Sequence, residues 1–236
     1  MNLTIARLAL RALLGQRRGF VLLALPLVLV ALAATVRALT REPMSAGLVI
    51  VEVGLAVVVP LVALLAANGV LGPEIDDGSV VYLLSTPVSR YVVAASKWAA
   101  AACVSAMLSS GGLAAAALAG GVNSQWVLGS AVAGAIGAVL YTALFCLLSA
   151  ATRHGMVAGL IYALVLERAL ASLLSGFRYL SVQAFTQRIT ESVAGIDLPL
   201  ATIGLGYALI AALVVLVLGV GFAGWRLQRF QLRGDE

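Results

Sequence analysis

The chain has 236 residues, of which 62% are hydrophobic and only 11% charged, and its mean hydropathy is +1.08. A soluble domain of this length could not cover so much apolar surface with so few charges, which excludes a freely soluble globular protein. The net charge of +5 sits mostly at the ends of apolar runs, and no cluster has the density of a nucleic-acid-binding patch.

Residues 1–18 interleave Arg7, Arg11, Arg17 and Arg18 with Leu3, Ile5, Leu8, Leu10 and Leu14. That pattern predicts an amphipathic helix in the membrane interface, its arginines reaching toward headgroups. The first apolar span covers 19–38, and Pro26 predicts a kink because it removes one helical donor. The second covers 46–68, with Pro60 inside it and Glu52 near its start.

A polar-punctuated interval, 69–97, then interrupts the hydrocarbon. Glu74, Asp76 and Asp77 precede a short helix expected at 79–86, whose positive N-terminal end favours carboxylates. Gly78 supplies a hinge, and Val80, Leu83 and Leu84 recur on one face. Pro87 ends that helix, and Ser89 is placed to cap the next one. The third span covers 91–119, longer than one simple crossing requires. The fourth covers 126–151, where Gly129, Gly134 and Gly137 suggest close helix packing.

Thr152, Arg153, His154 and Gly155 form a polar turn before a fifth span at 156–174, which carries Glu167 and Arg168. Residues 176–198 mix Phe177, Tyr179 and Phe185 with Arg178, Arg188, Glu191 and Asp197, and are expected to form re-entrant or interfacial helices. The sixth span covers 199–225, followed by Arg226, Arg229 and Arg233. The expected architecture is therefore all-α: a single polytopic domain over 1–236 with six transmembrane helices and an amphipathic N-terminal helix. Six crossings put both termini on one side. Basic residues concentrate in 1–18, at Arg90, Lys97 and Arg153, and after Trp225, which the positive-inside rule assigns to the cytoplasm together with 69–90. Residues 176–198 then lie outside.

Several chemistries find no residues to carry them. No phosphate loop ending in Lys-Ser or Lys-Thr is present, so ATP hydrolysis by this chain is not expected. His154 is the single histidine, which rules out a histidine metal cluster or an HExxH site. GxSxG is absent, and Asp76 and Asp77 are neighbours rather than a facing acid–base pair. Cys103 and Cys146 fall inside spans and read as small apolar fillers. No catalytic or metal-ligating residue is assigned. Glu52, Glu167 and Arg168 are the ionisable groups expected at membrane depth, in the outer half, where an Arg168–Glu52 pair is open to them. They line or gate a cavity, or they form a structural pair.

The run E-x-D-D-G-S-V-x-x-L-L-S-T-P-V-S-R-x-x-x-x-x-x-K, from Glu74 to Lys97, resembles the cytoplasmic segment after the second span in permeases of the type-2 ABC exporter class. The acidic pair is Asp76–Asp77, the Gly-Ser step Gly78–Ser79, the leucines Leu83 and Leu84, and the turn Ser85 to Arg90. The resemblance implies the type-2 ABC exporter transmembrane fold and a bacterial inner-membrane location. It also implies a dimer with a second permease, identical or homologous, and two copies of a separate cytoplasmic ATP-binding subunit that carry ATP and Mg. Coupling to that ATPase would fall to Glu74, Asp76, Asp77, Gly78, Ser79, Leu83, Leu84, Pro87 and Arg90, with Arg153 as a further contact, and 176–198 would help close the external gate. Ala-Gly-Val-Leu-rich spans favour export of a small hydrophobic or amphiphilic molecule. A lipid, polysaccharide or ion exporter of the same class, or a non-transporting anchor or sensor for an ATPase, are the alternatives.

Overall fold

A computed structural model describes residues 17–76, 90–152, 154–170, 175–195, 198 and 203–229. Within them the chain is helical throughout. Helix α1 is Arg17–Thr40, α2 is Pro43–Val49 and α3 is Val59–Asp76, with a π-helical stretch, Ile50–Val58, joining α2 to α3. Helix α4 is Arg90–Gly120, α5 is Ser124–Ala151, and α6 is Gly155–Leu160, which continues into a second π-helical stretch, Ile161–Leu170. A 3-10 helix, Ser175–Leu180, precedes α7 (Val182–Ala194), and α8 is Leu205–Arg229.

Five of these helical segments are long and apolar enough to cross a membrane: Gly19–Thr40, Pro43–Val70, Tyr91–Gly120, Ser124–Ala151 and Leu205–Trp225. The protein is an all-α, multi-span membrane protein. Of the span expected at 156–174, the described part includes a shorter apolar helix, Gly155–Glu167, and residues 171–174 lie outside the described residues. The last span starts at Leu205 rather than near 199.

Helix α5 is the hub of the bundle, packing against α3, α4, α6, α7 and α8. Small residues make this feasible, because in lipid helices associate through close packing rather than hydrophobic exclusion. A Cβ on Gly134 would lie 2.8 Å from the backbone carbon and oxygen of Ser109, so α4 and α5 touch main chain to main chain there. Further along the same interface, Ser105 and Thr142 share a buried hydrogen bond of 2.9 Å. Helix α1 runs unbroken through Pro26, whose ring packs where a side chain on Gly112 would stand.

The first π-helical stretch has a local cause. Pro60 has no N–H to donate, and its ring would crowd the carbonyl four residues back. The helix widens just before it, and Val59 N–H bonds to Gly54 O, five residues back.

Side-chain contacts sort the connections into two ends. At one, Gln125 reaches Ala194 and Gly195, and Gly121 abuts Arg37. At the other, Ser149 Oγ donates to Asn68 Oδ1 (3.0 Å), Gly155 abuts Ser149, and Gly224 abuts Tyr91. The stems of the α3–α4 connection, the α5–α6 turn and the end of α8 therefore share one end of the bundle.

Helix α3 outruns the expected boundary at residue 68 and continues to Asp76, since Val70 is buried against the core. Glu74 and Asp76 therefore have helical backbone as part of α3. The short helix expected at 79–86 lies outside the described residues.

Candidate functional site

Glu167 is the best-bonded ionisable group in the bundle. It sits in the second π-helical stretch, 4% exposed, and three donors converge on its carboxylate. Tyr141 Oη, from α5, donates to Oε2 at 2.5 Å. Ser181 Oγ and the Gln183 backbone N–H donate to Oε1 at 3.1 and 2.8 Å. Helix N-termini leave N–H groups without intrahelical partners and carry a partial positive charge. Ser181 is the N-cap of α7 and accepts from Ala184 N–H at 3.2 Å, while Glu167 accepts from Gln183 N–H. A side chain from the preceding helix thus completes the cap.

The far end of α7 is held as well. The helix stops at Gly195, which adopts the left-handed conformation (φ 65°) suited to glycine at a helix C-terminus. Gln125 Nε2 donates to the carbonyls of Ala194 (2.9 Å) and Gly195 (3.2 Å). Between these ends α7 runs antiparallel to α5: Thr186 faces Gly137, and Thr190 lines a small cavity with Ser130, Ala133 and Trp126.

Within the segment expected to form re-entrant or interfacial helices, α7 is tucked along α5, with 181–187 and Thr190 buried. Its polar side chains belong to the inner face, because the caps at each end satisfy the backbone groups that would otherwise need water. The 3-10 helix before α7 is tied down in the same way. Tyr207 Oη donates to Tyr179 O (2.7 Å) and Tyr162 Oη to Leu180 O (3.4 Å). Tyr179, Tyr207 and Phe185 stack edge to face around it.

Glu167 was expected in the outer half of the membrane. Its partner Tyr141 lies roughly 25 Å along α5 from Ser124 at 1.5 Å per residue. Glu52 stands apart from this cluster, exposed on the first π-helical stretch, and the two π-helical stretches pack against each other. The backbone of Arg168 lies in the second π-helical stretch; its side chain is outside the described residues, as is the expected Arg168–Glu52 pair.

Of the motif residues, Glu74, Asp76 and Arg90 have described backbones at the stems of the α3–α4 connection. Asp77, Gly78, Ser79, Leu83, Leu84, Pro87 and Arg153, and residues 1–16 of the N-terminal helix, lie outside the described residues. Lys97 is buried (4% exposed), and its Nζ donates to Val70 O at 3.4 Å, tying α4 to α3 just inside those stems. Both cysteines are free, Cys146 buried and Cys103 exposed. Among the described residues no cluster of His, Cys, Asp or Glu has the makings of a metal site.

Sequence reasoning missed Tyr141, Ser181, Gln183 and Gln125. A tyrosine halfway along an apolar span and a Ser ahead of a Gly-terminated amphipathic stretch were the available signals. No protein-family model matches the chain, and no curated protein is significantly similar to it.

Proposed function

We propose that the chain is the membrane-spanning permease subunit of an ABC exporter of the type-2 class. It pairs with a second permease, identical or homologous, and is driven by two cytoplasmic ATP-binding subunits that carry the ATP and Mg. The fifth helix, α6 with its π-helical continuation, completes a six-crossing topology together with α7. Both termini then lie in the cytoplasm of a bacterial inner membrane.

The observation that carries this reading is the shared end of the bundle. The two stems of the motif-bearing connection, at Asp76 and Arg90, emerge beside the α5–α6 turn that holds Arg153. A single soluble partner docked at that end meets both elements. Lys97 strengthens the mechanical argument, since a buried bond between α3 and α4 lets force on the connection reach the bundle.

Glu52 supports a pathway between two copies. A carboxylate within a span is expensive in hydrocarbon and faces a partner group or water. Glu52 is exposed on the first π-helical stretch, where a second copy packed on that face would meet it. Glu167 belongs instead to the support of α7. The apolar spans suit a small hydrophobic or amphiphilic substrate.

The decisive experiment replaces Leu83 and Leu84 with Asp. The doubly substituted permease is expected to insert and fold normally, to lose the ATPase subunit on co-purification from native membranes, and to stop transporting in vesicles. Normal assembly with full transport would remove 69–90 from the coupling role. Transport that continued with an ATP-dead partner would point to a secondary carrier.

A further inference from the structure

Helix α7 is fastened at its ends by polar side chains and packed in between, Thr186 against Gly137 of α5 and Ala184 and Phe185 against Ala208 of α8. Its N-terminal N–H groups are held by Glu167 and Ser181, and its C-terminal carbonyls by Gln125. Along the middle, the buried Thr190 Oγ1 has no hydrogen-bond partner among the described residues. It borders a cavity of about 10 Å³ lined also by Ile50, Ser130, Trp126 and Leu198. That hydroxyl and cavity mark a less tightly packed point of an otherwise buried helix, and the polar fastenings at its two ends fix its position along α5.

From this we infer that α7 is a detachable helix and that Glu167 is the positioning residue that holds it against α5. The carboxylate suits this role because it accepts from three groups at once, one on α5 (Tyr141) and two on the first turn of α7 (Ser181 and Gln183). Withdrawing it strands donors on both helices together. Release exposes the α5 face from Gly137 to Gln125, which reaches the end of the bundle opposite the α3–α4 stems. The docking itself needs no partner. Its use as the exit-side closure rests on the exporter reading.

Hydrogen–deuterium exchange on the full chain in phosphatidylcholine–phosphatidylglycerol nanodiscs tests the assignment. Glu167→Ala is expected to speed exchange of α7 amides tenfold or more and to leave α4 and α5 within about twofold of the wild type. Glu167→Gln keeps an oxygen that accepts from Ser181 and Gln183 and offers an N–H to Tyr141 Oη, so α7 should stay within about threefold. Equal acceleration across all helices would mean that Glu167 merely stabilises the bundle, and unchanged α7 exchange would mean that it holds nothing. Either result overturns the inference, as does Glu167→Gln behaving like Glu167→Ala. If Glu167→Ala fails to accumulate, Tyr141→Phe removes one donor at nearly constant volume. A local acceleration of about threefold then supports the assignment, and none overturns it. Repeating the exchange with an ATP-loaded ATPase bound separates the two readings. Nucleotide-dependent release of α7 supports its gating use. Release by Glu167→Ala alone, with no nucleotide effect, keeps the positioning role and removes the gate.

Discussion

Replacing Gly134 with Ala should separate α4 from α5 by a calculable amount. The new Cβ would stand 2.8 Å from backbone atoms of Ser109, where ordinary contact begins near 3.4 Å, so the helices must part by about 0.6 Å. Backbone atoms cannot rotate aside as a side-chain tip would. Overpacking of this kind costs about 1–3 kcal/mol. The same displacement stretches the Ser105–Thr142 hydrogen bond from 2.9 Å to about 3.5 Å, the edge of a useful bond. Interhelical bonds in membrane bundles contribute about 0.6 kcal/mol on average, so a total near 2–3 kcal/mol is expected. Steric trapping in bicelles measures the loss. A double-mutant cycle then tests the reasoning: Thr142→Val should cost its usual increment in the parent and almost nothing beside Gly134→Ala. Strict additivity would show that the helices do not separate, and a Gly134→Ala variant as stable as the parent would refute the backbone contact.

Lys97→Met removes the bond to Val70 O and should cost the bundle about 1.5–3 kcal/mol, the contribution of a hydrogen bond to a charged group. ATP-driven transport should also fall severalfold, and normal transport would assign Lys97 a purely structural role. Gln125→Ala removes both donors at the end of α7 and should speed exchange of its last turn by about tenfold, with local proteolysis or exchange as the check; an unchanged last turn would refute the capping. Pro60→Ala restores the missing helical donor and should let Ile50–Val58 relax toward α-helix, shifting the facing of Glu52. Labelling of a cysteine at position 52 reads that shift, and identical labelling in both backgrounds would show that Pro60 does not cause the wide turns.

Much of the bundle was legible because lipid imposes one simple requirement: a run of some 20 apolar residues for each crossing. Four of the expected spans match long apolar helices within a few residues, and the fifth of the long helices starts only slightly late. For 176–198 the polar composition pointed to re-entrant or interfacial helices but not to which of its side chains are buried. Gln183, Thr186 and Gln187 are buried there because distant side chains, Glu167 and Gln125, complete the caps of α7. Capping by residues 16 and 69 positions away leaves no local pattern to detect. Glu167 could be singled out as an acid at membrane depth, yet its role depended on Tyr141, a tyrosine halfway along an apolar span whose partner the sequence does not indicate.

The central position of α5 also bears on how the chain is made. Helices α1, α3 and α4 already contact one another, so the three earlier long spans can gather in the membrane as they leave the ribosome. Of the later elements, α7 docks along α5, and α8 packs on α5, α4 and α7. A chain whose residues 124–151 fail to insert is therefore expected to leave the buried polar face of α7 without the α5 surface that covers it.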